Sequence, residues 1–316
     1  MRRIWCLFVL RRLAVLVASL ATLVVATFAI TQLVPGDPAR AGLGPTAAPS
    51  RVEAQRAALH LDEPLPSQFG HYVQGLVKGD LGKSFASGQK VTDIIGDRFP
   101  ATARLALLAF AVTMVVGLPW GMVTAVASRG RPRRALDTAF SSTTGVMISV
   151  PDYLIATGLV ALFGVWLGWL PIAGSSGATS YILPVLAYSA LSTGMLARVA
   201  RVEMLKVLDQ EYVRVARSKR LPLTQLYVRH ALPNALTATL TFSGLLLGGC
   251  LAGTVVVENV FAWPGLGSAL VQAIQTKDYP LIQGVVLLLG GIVLVVNLLV
   301  DVALGVLDPR VMTRER

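Results

Sequence analysis

Gly82-Lys83-Ser84 has the ending of a phosphate-binding loop, in which glycine frees the backbone, lysine meets phosphate and serine holds magnesium. The glycine such a loop needs five positions earlier is missing, because Val77 stands there, so no nucleotide site is expected. His60, His71 and His230 do not have metal-ligand spacing, and the first two are expected on solvated helices. Cys6 precedes one apolar run and Cys250 lies inside another, which makes neither a disulfide framework nor a metal site. No Ser/His/Asp set or carboxylate pair stands out, so the chain is not expected to be an enzyme. Asp152 is the sharper candidate. It follows Pro151 inside a long apolar run, where an ionisable group is costly and by default marks a path through the protein. Two readings stay open. Asp152 faces a translocation cavity and attracts a cation such as a substrate ammonium, or it satisfies backbone groups freed by Pro151 at the head of an inner helix. Asn297 and Asp301 suit interhelical hydrogen bonding and an interface anchor.

The elements that carry these residues follow from composition. The chain has 316 residues, 54% apolar and only 14% charged, with a mean hydropathy of +0.65. Soluble domains hold about 25% charged residues, so the solvent here is a membrane and a large soluble catalytic domain is excluded. A helix crossing about 30 Å of hydrocarbon needs roughly 20 apolar residues. Runs at 13–34, 102–127, 136–167, 181–205, 235–257 and 281–307 meet that need, which predicts an all-α integral membrane protein with six transmembrane helices. The third run is interrupted at Pro151-Asp152, so it is tilted, kinked or partly outside the membrane. The first exceeds a signal-peptide core and lacks an A-x-A site, so it reads as a retained anchor. Gly244-x-x-x-Gly248 and Gly249-x-x-x-Gly253 predict close helix approach, within this chain or against another.

The net charge of +11 is not a nucleic-acid footprint once its placement is read. Arg2, Arg3, Arg11 and Arg12, the arginines at 129–134, the cluster from Arg198 to Arg229, and Arg310, Arg314 and Arg316 fall on one side of an alternating six-span chain. Residues 35–100, between the first two spans, carry equal numbers of acids and bases. Lys and Arg resist translocation, so both termini are expected in the cytoplasm. The chain then divides into an anchor helix (1–34), an extracytoplasmic segment (35–100), a permease-like core (101–310) and a cytoplasmic tail (311–316). The outer segment, with helix-like stretches at 52–61 and 68–77, is too long for a connector and suggests a cap or docking surface. Phe261, Trp263, Pro264, Gly265 and Gly267 suit an outer re-entrant hairpin or gate, or alternatively an aromatic belt.

One substantial cytoplasmic element remains, about 206–232. Acidic residues open it, including Glu211, and Tyr212, Val213 and Ala216 make a modest apolar face. Pro222 breaks that helix and starts a second, carrying Leu226, Tyr227 and His230, which Pro233 is expected to end. This bent pair is a solvated connector, or it lies on lipid or in a partner.

These residues carry a resemblance. Glu211-Tyr-Val-Arg-Val-Ala-Arg-Ser-Lys-Arg-Leu221 followed by Arg229-His-Ala-Leu-Pro-Asn-Ala235 resembles the coupling motif of ABC-importer permeases. The match is to the first-subunit branch of the dipeptide/oligopeptide/nickel family. Leu33-Val-Pro-Gly-Asp-Pro38, Gly79-Asp-Leu-Gly82, Val257-Glu-Asn-Val-Phe-Ala-Trp-Pro-Gly-Leu-Gly267, Asp278-Tyr-Pro280 and Leu307-Asp-Pro-Arg310 follow in the family's order, over nearly the whole chain. The resemblance implies a translocation pathway for peptides, or for nickel, glutathione or another small solute. It implies a second homologous permease, two ATPase subunits that bring ATP and magnesium, and an extracytoplasmic solute-binding protein. It assigns ATPase coupling to Glu211, Tyr212, Val213, Arg214, Ala216, Arg217, Arg220, Leu221, His230, Leu232 and Pro233. The family usually has glycine where this chain has Arg220; a turn requiring φ > 0 there is dearer for arginine. An ion-coupled secondary transporter is the competing class, but it predicts several intramembrane charges and an internal repeat.

Overall fold

The computed structural model describes residues 2–33, 38–43, 48–58, 62–129, 134–219 and 222–307. The order is α1 (Arg2–Leu33), α2 (Pro38–Leu43), α3 (Pro49–Ala58), α4 (Leu65–Val77), α5 (Val91–Val112) and α6 (Leu118–Ser128). Then come α7 (Arg134–Ser149), α8 (Asp152–Leu159), α9 (Ile182–Leu208), α10 (Glu211–Ser218) and α11 (Leu223–Gln225). The last are α12 (Leu232–Ala252), α13 (Val255–Val260), α14 (Leu266–Thr276) and α15 (Tyr279–Leu307). Among the described residues, five helical stretches are long and apolar enough to cross a membrane, and six if one bent pair counts as a single span.

That pair is α7 with α8 and its π-helical extension, bent by 99° at the break. Pro151 explains the break, since it has no N–H for the helix ladder and its extended backbone (ψ 142°) starts α8 afresh. Two other spans contain π-helical turns: Thr113–Gly117 joins α5 to α6, and Leu226–Ala231 runs directly into α12. The expectation that Pro233 ends a short second helix is therefore overturned. Pro233 sits in the first turn of α12, directly after the π-helical turn, and the span runs continuously from Leu226 to Val260 by composition and length.

The central helix is α9. It is gripped by α6, α7, α8 and α12, and its small residues let neighbours approach. The first glycine motif works within this chain: Gly244 meets Val300 and Gly248 meets Asn297 on α15. Gly249 faces open space instead, and Gly253 accommodates the Tyr188 hydroxyl. Helix α1 packs antiparallel on α15, with Leu23 against Gly290 and Phe8 against Gly305. Arg12 and Asp301 form an ion pair at 3.1 Å between them, so Asp301 ties the first span to the last. The first turns of α1 and the last turns of α15 therefore lie at the same end of the bundle, which also carries α10.

Candidate functional site

At that basic end, α10 is an amphipathic helix of eight residues seated on the span ends. Val213 is fully buried, among Met122, Met204, Leu208, Leu226 and Ala235, with Ala216, Tyr227 and Leu232 around them. Glu211 opens the helix, where its charge suits the N-terminal dipole, and Arg217 lies in the last turn. The apolar face is narrower than the sequence reading gave it. Val213 and Ala216 point inward, while Tyr212 is 42% exposed at the edge. Its hydroxyl accepts a hydrogen bond from Asn234 Nδ2 at 2.9 Å, and the same amide donates to the His230 carbonyl at 3.0 Å. This bond set pins α10 to the π-turn. Arg214, Val215, Arg217 and Val228 remain exposed, giving the seated helix a basic and apolar outer face. Pro233 is exposed beside it, and Arg220 and Leu221 lie outside the described residues.

Sequence reasoning missed how the arginines of this end are used. Arg129 donates to the Leu208 carbonyl, capping the C-terminus of α9 next to α10, and approaches Asp209 at 3.5 Å. Burial, and then the neighbouring Arg217, hold the Arg129 guanidinium below its ordinary value. Arg201 pairs with Asp137 and lies over the Phe140 ring at 4.8 Å, while Arg198 donates to Thr144 Oγ1 at 2.9 Å. These two arginines tie α7 to α9.

The opposite end is organised by two acids that the sequence reading did not single out. Glu258 is fully buried in α13. Its carboxylate accepts hydrogen bonds from Thr102 Oγ1 (2.7 Å), Gly267 N (2.7 Å) and Ser268 N (3.1 Å), so it caps α14 and ties it to α5. A Cβ on Gly265 or Gly267 would overlap that carboxylate or the backbone at Val255, which explains why the turn holds two glycines. Phe261 and Trp263 are 1% exposed, so both rings are core residues and not an aromatic belt. Trp263 Nε1 donates to the Ala101 carbonyl at 3.2 Å, and its ring meets Tyr181 edge-on at 4.6 Å. Ala262, between them, takes φ +46°, an uncommon backbone for a residue with a Cβ.

Asp278, also fully buried, accepts from Ser84 Oγ (2.5 Å), Phe85 N (3.0 Å) and Ala86 N (3.3 Å). Ser84 of the false phosphate loop is thus a structural partner, and Gly82 lies against Pro280. The Gly79–Gly82 and Asp278–Pro280 motifs are one contact. Between these two locks lies a cleft of about 490 Å³ edged by Gln89, Asp97, Arg98, Pro264, Gln272 and Thr276.

Asp152 opens α8 at the 99° bend and is half-buried. Among the described residues none bonds to its carboxylate. One signal could have found Glu258: it is a lone acid in a run of valines, the same criterion that singled out Asp152.

Comparison with known proteins agrees with this arrangement. Residues 117–313 match the family described as "Binding-protein-dependent transport system inner membrane component", and residues 5–106 match its N-terminal companion, "Binding-prot-dependent transport system membrane comp, N-term". A Brucella abortus (strain 2308) protein, provisionally named a peptide transport system permease, is 40% identical over 311 residues, covering 96% of this chain and 98% of its own length. The glutathione transport system permease protein GsiC of Escherichia coli (strain K12) is 37% identical over 305 residues, covering 96% and 98%. Among solved structures, an inward-facing form of the MetNI methionine ABC transporter has a chain that superposes with a TM-score of 0.56 at 17% identity. The match covers 69% of this chain and 97% of that one, which is a likeness of fold alone. The chain belongs to the binding-protein-dependent transport system inner membrane component family and is a permease of an ABC importer.

Proposed function

We propose that the chain has six spans with both termini in the cytoplasm, and that its basic end receives two ATPase subunits on which ATP and magnesium are bound. A second homologous permease completes the pathway, and an extracytoplasmic solute-binding protein delivers cargo to the opposite end. The cargo class is peptide, by analogy with the Brucella relative's name; a small peptide-like thiol such as glutathione is the second reading, favoured by the GsiC similarity. The membrane is the bacterial inner membrane, in keeping with the family description.

The observation that carries this reading is α10: one face is seated by Val213, and the other presents Arg214, Val215 and Arg217 to a partner. Glu211, Tyr212, Val213, Arg214, Ala216, Arg217, Arg220, Leu221, His230, Leu232 and Pro233 form this coupling surface and its support. The mechanism is alternating access. ATP binding closes the ATPases, which push α10, and the shared buried cluster passes the displacement to α6, α9 and α12. Direction arises because ATP and loaded binding protein favour different conformations. Asp152, at the bend of the third span, is a pathway residue in this scheme, and the Phe261–Gly267 turn is part of the outer gate. Charge reversal at Arg214 and Arg217 in the reconstituted complex is expected to uncouple ATP hydrolysis from uptake while binding-protein affinity stays nearly intact. Unchanged coupling would count against this surface.

A further inference from the structure

The third span and α9 share a seam that carries two opposite charges without ionic partners. Arg198 lies inside α9, one turn deeper than Arg201, whose acid is Asp137. Its Nε donates to Thr144 Oγ1 at 2.9 Å and its Nη2 to the Ser141 carbonyl at 3.1 Å, both on α7. Both acceptors are neutral, and Arg198 is exposed with N–H groups to spare. Among the described residues no acid pairs with Arg198 and no base pairs with Asp152. One turn along the seam from Arg198, Gly194 packs on Thr144, Met147 and Ile148. Past the bend, Ala156, one turn after Asp152, is buried in one cluster with Tyr188 of α9. Arg198 reaches the level of Ser141 to Gly145, which at 1.5 Å of rise per residue is roughly 10–16 Å from Asp152.

The surface between these charges is polar. In the neighbouring spans Thr113, Thr124, Thr239 and Ser243 each donate their hydroxyl to a carbonyl one turn back, as suits a dry setting. Thr144, on the side of α7 that meets α9, does the same. On the exposed side of α7, Thr138, Ser141, Ser142, Thr143 and Ser149 do not: none of their hydroxyls bonds to another described residue. Hydrocarbon is a costly neighbour for a face that combines open hydroxyls, a guanidinium and a carboxylate. Water or a polar occupant belongs there.

We propose that Arg198 and Asp152 are the two ends of a subsite for a short zwitterionic peptide in the translocation path. The guanidinium holds the peptide carboxylate, Asp152 holds its ammonium, and the α7 hydroxyls between them bond its backbone. An extended peptide advances about 3.3–3.6 Å per residue, so about three to five residues bridge the two charges. A helix of a second permease would have to bring an acid and a base to the same two places, whereas a free peptide carries both at its ends. Contact of Arg198 with lipid phosphate would leave Asp152 and the hydroxyls without partners. The proposal rests on Asp152 being a pathway residue and on peptide being the cargo.

The test measures equilibrium binding of labelled tetra-alanine, its C-terminal amide and its N-acetyl form to the assembled transporter, without nucleotide or binding protein. The free peptide is expected to bind about tenfold more tightly than either capped form. Arg198→Gln should erase discrimination against the amide and keep that against the acetyl form, and Asp152→Asn should do the converse. Arg198→Lys, which keeps the charge, should retain both preferences and guards against a folding defect. Equal binding of all three peptides to wild type, or no saturable binding at millimolar peptide, would overturn the proposal. So would an Arg198→Gln variant that weakens all three by one factor, since Arg198 would then only tie α7 to α9. In a Cys6→Ser background, Ser142→Cys and Ser149→Cys are expected to react with a charged thiol reagent from water. Protection of both in the assembled transporter would overturn the path and assign this face to a partner helix. ATP-driven uptake in the complete assembly is read separately: normal uptake of tetra-alanine with no end-group preference in binding would remove the subsite and leave the importer reading standing.

Discussion

At the end of the bundle carrying Glu258 and Asp278, two fully buried carboxylates gather donors from segments far apart in the chain. At the end carrying α10, one buried valine and a Tyr212–Asn234 bond seat a helix whose outer face stays in solvent. Charge-assisted bonds in a dry setting are strong, and breaking one leaves several donors unpaired. A single seated valine is worth less than the whole set of bonds that Glu258 holds. The difference teaches which end deforms under load. The Phe261–Gly267 turn and α14 are tied to α5 through Glu258, whereas α10 is held by one buried valine and a side-chain bond.

The comparison breaks first at Glu258. Glu258→Ala strands the Thr102 hydroxyl and the N–H groups of Gly267 and Ser268, and is expected to cost about 3–5 kcal/mol. The measurement is folded yield and unfolding temperature in detergent, with Glu258→Gln intermediate; wild-type stability in Glu258→Ala would remove the lock from the account. Asp278→Asn keeps the shape but loses the charge, so a loss of about 2 kcal/mol is expected, together with faster amide exchange at 84–86. Exchange unchanged there would show that the anchor is elsewhere. Val213→Ala at the other end should cost about 1–2 kcal/mol and loosen α10. Its signature is reduced transport per ATP with little change in unfolding temperature. A large drop in global stability would mean the two ends are not held differently.

Much of this was legible in the residues. Spans showed as apolar runs, Pro151 announced the bend, and the α10 sequence announced an amphipathic helix. Pro233 misled because proline stops one helix and starts another equally well, and the π-turn before it let the chain pass straight into α12. The two locks were hidden for a different reason. Glu258 and Thr102 are 156 positions apart, and Asp278 and Ser84 are 194 apart, so no local pattern joins them. Arg198 and Arg201 entered the sequence reading only as positive charges, yet their partners Thr144 and Asp137 lie on another helix. Charge counts register such residues without saying whom they bind.

The central claim is that this chain receives work at its basic end and supplies none itself. Reconstituting the purified chain in vesicles, with and without its ATPase subunits and binding protein, tests that directly. Labelled peptide is expected to accumulate only in the complete assembly, and only with ATP on the side bearing α10. Accumulation by the chain alone, driven by an ion gradient and indifferent to ATP, would contradict it.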